Sequence, residues 1–538
     1  MPLAQAPVIE PARYTRAAAA ATPRLAMLGV AALLLCAVVA RLPRLHAIYQ
    51  WDEADYIQAV RLGVPANWLA QTALPIEAFL RKGLIKWLQL GDQHIVVPAA
   101  YEPSRDVLAL AHYHPPLVLF AAAAAFAVCG QHEWAARLPS LVPNLLAILL
   151  LVYGVPWVFG RARRGCGWFA GAALASMPVQ IQSSRVLSMH PASACLTTAA
   201  LLALMRFLAT DRSAWLYTAA AAAALSLLAL DFFPSAIVLI LVACSSRGLV
   251  NTHAQTIRVS WRLLAAAGVF LGVLAAGWPG GFSRAGWAQL ILLRAYNVEA
   301  LHGAGTAWLA AFADAYPVWA VLYVAGLVYI GWEAIRHKTW RVWWPLLLLV
   351  TVGMFTVIRI PATILTHGLT VFTLLSIVLG AWLASLWSGP PAARGIALGV
   401  LVAMIASGAR ETIRAARLDD GTRILRDVEA QVPPDATVLA DGAHIFRLYL
   451  PSRAWVDLEW FDTTELRHPE RYTLQTSQRL QRYDALRTAI FGGDYPYLIL
   501  QPRRRIADPA LAEFIQAQYR LISESEGGSL YRLETGHP

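Results

Sequence analysis

Charge is scarce in this sequence. Only 14% of the 538 residues are Asp, Glu, Lys or Arg, whereas 58% are hydrophobic and the mean hydropathy is +0.51. A soluble chain carries about 25% charged residues. The shortage excludes disorder for most of the chain. It also overrides the soluble multidomain organisation that such a length would suggest. Cysteine is scarce too. Cys36, Cys129, Cys166, Cys195 and Cys244 all lie in or beside apolar runs. That excludes a disulfide scaffold and leaves small core hydrophobes. No single basic stretch carries the net charge of +11, which is scattered in small clusters between apolar runs. Nucleic-acid binding wants one contiguous basic face, so nucleic acid is excluded as a partner. What remains is an integral membrane protein.

A spanning helix needs about 20 mostly apolar residues. The first run, 25–40, follows Arg13, Arg16 and Arg24 and precedes Arg41 and Arg44. Small residues of a cleavage site are missing there, so the run reads as an uncleaved span rather than a signal peptide. Residues 1–24, rich in Ala and Pro, read as a disordered cytoplasmic N-terminus. Further spans fall at 141–160, 165–184, 191–208, 213–230, 232–246, 263–280, 316–332, 342–358, 363–387 and 395–409. The run 115–130 is uncharged but short, and it opens with Pro115-Pro116.

Charge settles that run. The connections at 161–164, 206–212, 247–262 and 336–341, and the one holding Arg394, are basic; the alternate ones are not. If 115–130 crosses the bilayer, every basic loop falls outside. If it is re-entrant or interfacial, every basic loop falls inside, as the positive-inside rule requires. The second choice gives an all-α polytopic membrane domain over 25–410 with about 11 transmembrane helices. Its N-terminus is cytoplasmic, and a large outer loop covers 43–140. A second outer loop spans 281–315. Residues 411–538 form a C-terminal α/β soluble domain outside the membrane. There 437–440, 497–500, 521–523 and 529–533 read as strands, the last two as a hairpin around Gly527-Gly528. Stretches 423–431, 477–491 and 509–519 read as helices.

Polar residues crowd at the outer face. Trp51-Asp-Glu-Ala-Asp-Tyr56 follows the first span, so Asp52, Glu53 and Asp55 lie near the membrane surface. Carboxylates there are costly unless hydrated, paired or put to use. As an ordinary structural feature, Asp52 would cap a helix over 54–62. His112-Tyr-His-Pro-Pro-Leu117 opens the re-entrant run and places His112 and His114 at the interface. Glu133-Trp-Ala-Ala-Arg-Leu-Pro-Ser140 leads into the second span. Arg137 there either pairs with Glu133 four residues back or does more. Ser184-Arg185 through His190-Pro191 lies on the same side, as do Asp231 and Arg359. Asn144, Gln180 and Gln182 either bind lipid phosphate or hydrogen-bond neighbouring helices.

Taken in order, Asp-Glu after the first span, His-Pro-Pro-Leu, Glu-x-x-x-Arg-Leu-Pro-Ser and Ser-Arg after the third span resemble a known family. They are similar to the polyprenyl-phosphate-sugar glycosyltransferases of the GT-C fold. The nearest likeness is to the bacterial relatives of protein O-mannosyltransferases and of the lipid A aminoarabinose transferase. The likeness is clearest over 40–210. It implies a membrane glycosyltransferase of the bacterial cytoplasmic membrane with a periplasmic active site. The implied partners are a polyprenyl-phosphate-linked sugar, membrane lipid, and a glycan, lipid or protein acceptor. It implies Asp52 as catalytic base. Glu53 would hold a divalent metal, the acceptor or its neighbour. Arg137 and Arg185 match motif positions and would bind the donor phosphate; Arg359 joins them by position. Asp55, His112, His114, His190 and Asp231 would contact substrate. The chain departs from the pattern twice. His190 stands where relatives often carry an acidic residue, and His114 stands before Pro-Pro, where the family also allows a Lys.

Two other classes compete. A transporter or flippase would place charge and broken helices near the bilayer midplane, often in repeated halves. Here the span centres hold almost no charge and no repeat is visible. A non-catalytic envelope assembly protein would use the tail as its working part.

Overall fold

The computed structural model describes residues 23–61, 63–69, 115–159, 164–230, 253–282, 307–337, 340–357, 365–458, 474–501, 506 and 508–534. The expected span 232–246, most of the loop 281–315 and the N-terminal segment lie outside the described residues.

Every regular element among the described residues of the membrane part is a helix. Helix α1 (Pro23–Arg41) is followed by α2 (Trp51–Arg61), α3 (Val64–Leu69) and α4 (Leu117–Cys129). Then come α5 (Glu133–Phe159), α6 (Arg164–Ser176), α7 (Pro178–Ser183), α8 (His190–Thr210), α9 (Ser213–Ala229) and α10 (His253–Gly277). The series ends with α11 (Ala307–Ala315), α12 (Pro317–Arg336), α13 (Trp340–Val357), α14 (Leu369–Ser388) and α15 (Pro391–Arg417). Among the described residues five helices are long and apolar enough to cross a membrane, namely α5, α8, α12, α14 and α15. Helix α4 has 13 residues. At 1.5 Å per residue it rises about 20 Å, short of a hydrocarbon core of about 30 Å.

The bundle is organised around α14, which packs against α6, α8, α12 and α15 and is buried on nearly every face. Small residues permit that closeness. A Cβ on Gly380 would lie 2.5 Å from the carbonyl oxygen of Cys166 on α6, and one on Gly408 would lie 2.6 Å from that of Ser176. Helices in lipid associate through such tight packing. The expected span 165–184 is interrupted. Pro178 has no N–H and pushes Met177 to an extended conformation (ψ 121°), so α6 stops and α7 begins. Helix α15 runs on to Arg417, past the expected domain boundary at 410.

The tail adds α16 (Thr422–Gln431), β1 (Val438–Ala440), α17 (Ala443–Tyr449), β2 (Trp455–Asp457), α18 (Leu474–Phe491), β3 (Tyr497–Leu500), α19 (Pro509–Gln518), β4 (Tyr519–Ser525) and β5 (Gly528–Leu533). The sheet order is β2-β1-β3-β5-β4, with β1 parallel to β2 and β3, and β5 antiparallel to both β3 and β4. Alternation along the strands sorts the two faces. Val438, Ala440, Tyr497 and Ile499 pack on α16 and α17. Leu439 and Leu498 pack on α18 and α19.

The tail is joined to the membrane domain by more than its linker. The amide of Ile48 donates to the carbonyl of Asp420 (2.9 Å), and α17 packs on α2. Gly421 sits at φ +78°, and a Cβ there would meet Ile48 at 2.8 Å.

Candidate active site

The site is built where the ends of α1, α5 and α7 meet the start of α2. Helix α2 begins at Trp51, so Asp52 is in its first turn rather than at its cap. Glu53 is the third residue of the helix and reaches back: its Oε2 accepts from the Gln50 amide at 2.9 Å. This is one half of a capping box. The same carboxylate meets Arg137 of α5 in a fork. Nε donates to Oε1 at 2.8 Å and Nη2 to Oε2 at 2.9 Å. The amide of Leu187, in the α7–α8 connection, donates to Oε1 at 2.6 Å. Four donors thus meet about four lone-pair positions of an ionised carboxylate, and Glu53 is only 2% exposed.

Arg137 is equally committed. Nη1 donates to the carbonyls of Arg44 (2.7 Å) and Leu45 (2.9 Å), and Nη2 also to that of Ile48 (3.3 Å). A guanidinium has five N–H groups, and all are used inside the protein. The side chain binds the α1–α2 connection and Glu53, so a phosphate ligand at Arg137, as expected from the sequence, would have to displace one of these partners. Its partner is Glu53, not Glu133 on its own helix. Tyr49 lies beneath it, with the guanidinium carbon 5.8 Å from the ring centroid. Two further ties hold the α7–α8 connection. Ser140, at the end of the Arg-Leu-Pro-Ser motif, donates to the Ser188 carbonyl (2.9 Å) and accepts from its amide (2.8 Å).

The tail reaches this point. The Tyr449 hydroxyl of α17 accepts from the Tyr49 amide at 2.9 Å, and the two rings lie 5.8 Å apart. Burial pushes the phenols of both tyrosines well above their ordinary value, so both stay protonated.

Arg185 is 4% exposed. Its Nη2 donates to the carbonyl of Ala40 at 2.5 Å and its Nη1 lies 3.5 Å from Glu411 of α15. Burial outweighs that carboxylate and lowers the guanidinium to about 10. His190 opens α8, its ring 4.5 Å from that of His367 in the 3-10 turn Leu365–Gly368. Asn144 and Gln180 hydrogen-bond to each other and to Arg41, Thr373 and Leu369, as the second of the two sequence readings has it. Gln182 accepts from the Tyr316 hydroxyl at 3.4 Å.

The side chains of Asp52 and Asp55 lie outside the described residues, as do His112, His114, Asp231 and Arg359 entirely. Among the described residues no three His, Cys, Asp or Glu side chains gather as a metal site. Sequence reading missed Arg41, Tyr449 and Glu411. For Arg41 the signal was present, a charge closing an apolar run; Tyr449 and Glu411 carried none.

This helical bundle, with its buried polar cluster and appended α/β domain, has the GT-C fold. Residues 113–278 match the family model described as dolichyl-phosphate-mannose-protein mannosyltransferase. Among solved structures the chain is similar to ArnT from Cupriavidus metallidurans bound to undecaprenyl phosphate. The TM-score is 0.53 and the identity 12%, over 95% of this chain and 98% of that one. The apo form of the same protein gives 0.54 and 13%, over 94% and 97%. The apo oligosaccharyltransferase of Archaeoglobus fulgidus gives 0.50 and 12%, over 89% and 70%. At these identities the likeness is one of fold. No curated protein matches by sequence.

Proposed function

We propose that the protein transfers a sugar from a polyprenyl-phosphate donor to an acceptor hydroxyl at the outer face of a bacterial cytoplasmic membrane, inverting the anomeric centre. The observation that supports this reading is the buried Glu53–Arg137 fork. It fixes the first turn of α2 against the ends of α1 and α5, and Asp52 belongs to that turn. A catalytic carboxylate needs such immobilisation, because small misplacements cost large factors in rate.

In the reaction the acceptor oxygen attacks the anomeric carbon as Asp52 takes its proton. The bond from that carbon to the phosphate oxygen breaks, and polyprenyl phosphate leaves as an anion. A single displacement without a covalent intermediate inverts configuration. Arg185 and Arg359 stabilise the charge gathering on the phosphate, while Arg137 acts as a positioning residue. Asp55, His112, His114, His190 and Asp231 contact sugar or acceptor. Both Glu53 oxygens are engaged, so a divalent cation at this site would have to draw on other residues. The N-terminus is cytoplasmic and the tail lies outside, where it covers the site.

The test uses purified protein in detergent with a polyprenyl-phosphate sugar and envelope acceptors. The anomeric configuration of the product is read by NMR. Inverted configuration with release of polyprenyl phosphate is expected. Retention, or lipid movement without a new glycosidic bond, would discard the proposal.

A further inference from the structure

Arg41 closes α1, and its side chain is wholly buried. A cation suits a helix C-terminus, and part of its fork is used that way. Nη1 donates to the carbonyls of Ala37 (2.9 Å) and Ala175 (3.2 Å), the latter freed where α6 breaks before Pro178. Nε donates to Asn144 at 2.9 Å. Nη2 has no hydrogen-bond partner among the described residues.

Arg185 approaches the same end of α1, donating to the carbonyl of Ala40 next door. Its Nε is likewise buried and without a hydrogen-bond partner among the described residues. The two positive charges repel each other, and Arg44 adds to the repulsion on Arg185. Among the described residues one carboxylate stands against them, Glu411, 3.5 Å from Nη1 of Arg185 and too far for a good hydrogen bond. Buried charge without compensation is unfavourable. Two unsatisfied guanidinium donors at one helix end, with one loosely held carboxylate, describe a seat for an anion.

We propose that Arg41 and Arg185 together form a phosphate seat, in which Glu411 stands in for the phosphate when the site is empty. The proposal rests on the transferase reading and adds Arg41 to it as a ligand of the leaving polyprenyl phosphate. Planar guanidinium forks match phosphate oxygens. The Glu411 side chain is the most exposed of the three at 12%, so the anion enters past it, displacing the carboxylate from Arg185. No bond is made or broken in this step. The seat holds the charge that the leaving group carries away.

The experiment measures equilibrium binding of farnesyl phosphate, inorganic phosphate and farnesol to the full-length protein in detergent. Farnesyl phosphate is expected to bind and farnesol not to. Displacement by inorganic phosphate would assign the seat to phosphate in general; indifference to it would assign the seat to a lipid headgroup. Either supports the proposal. Arg41→Met weakens farnesyl phosphate binding about tenfold or more, and Arg41→Lys, which keeps the charge without the fork, recovers part of the loss. Should Arg41→Met not fold, Glu411→Gln decides. It removes the competing carboxylate and tightens binding several-fold, a sign that a merely structural salt bridge would not produce. Unchanged or weaker binding in Glu411→Gln, or farnesyl phosphate binding indifferent to Arg41, overturns the seat. Sugar transfer is assayed on the same samples. Phosphate binding that depends on Arg41 without any transfer would remove the transferase reading and leave the seat standing; transfer by protein whose binding ignores Arg41 would do the reverse.

Discussion

Arg137 and Glu53 are 84 positions apart in sequence, yet their side chains form a two-bond fork of 2.8 and 2.9 Å with neither more than 2% exposed. Every remaining donor of the arginine goes to the chain between α1 and α2. The pair therefore sets the shape of the connection that leads into Asp52.

Removing one partner leaves the other charged, buried and unmatched, which costs about 3–5 kcal/mol. Glu53→Gln and Arg137→Met should each lower the thermal unfolding temperature of the detergent-solubilised protein sharply. The double variant should be less destabilised than the sum of the two, because neither charge is then left alone. Additive losses would mean that the two side chains act independently.

Tyr449→Phe removes the acceptor of the Tyr49 amide. A buried N–H left unpaired costs about 1–3 kcal/mol. Hydrogen exchange should quicken across 45–50 in this variant, and the change should be local. Since that connection carries the carbonyls that bind Arg137, turnover should fall with it. Unaltered exchange there would show that the tail does not brace the site.

Gly380→Ala places a methyl 2.5 Å from a carbonyl oxygen of α6. Backbone cannot yield as a flexible side chain can, so α14 must move. Overpacking of this kind costs about 1–3 kcal/mol. A drop in unfolding temperature is expected. Gly399→Ala, whose Cβ would meet nothing within 4 Å, serves as the neutral control.

The tail carries its own pH dependence at Asp508, the N-cap of α19, which accepts from the amides of Ala510 and Leu511. Burial alone would raise its carboxyl. Hydrogen bonds from Arg487, the Leu511 amide and Tyr483 outweigh it and hold the group below its ordinary value. A depressed carboxylate stabilises the fold above its unfolded value, about 3.9, and that stabilisation fades as pH falls through the lower folded value. Asp508→Asn keeps a capping oxygen but loses the charge paired with Arg487, and should cost up to about 1 kcal/mol at neutral pH. Its gap from wild type, followed by hydrogen exchange of α19, should narrow below about pH 4. A gap that widened on acidification would reverse the assignment.

Much of the scaffold was legible in the sequence because apolar run length is a direct readout of bilayer thickness. The runs at 191–208 and 213–230 appear as α8 and α9 with ends shifted by only a few residues. In the tail, 497–500 is β3. The break at Met177-Pro178 was not anticipated, since the run 165–184 has the composition of one span and only the proline interrupts it. β2 and α17 were also missed; three and seven residues leave little periodicity to detect. At the site, residue types and their order pointed to a polar cluster at one end of the bundle, and Glu53 and Arg137 do meet, with Arg185 on the connection that donates to Glu53. Their pairing could not be read. The full engagement of Arg137 could not be read either, because carbonyl acceptors, such as those of Arg44 and Leu45, are invisible in a list of side chains.

The most direct measurement is sugar transfer by purified Asp52→Asn protein from a radiolabelled polyprenyl-phosphate donor. The change keeps size and folding but removes the proton acceptor. Transfer should fall by about two to four orders of magnitude, the usual contribution of a general base, with donor binding retained. Transfer by Asp52→Asn at the wild-type rate would contradict the assignment of the base and the mechanism built on it.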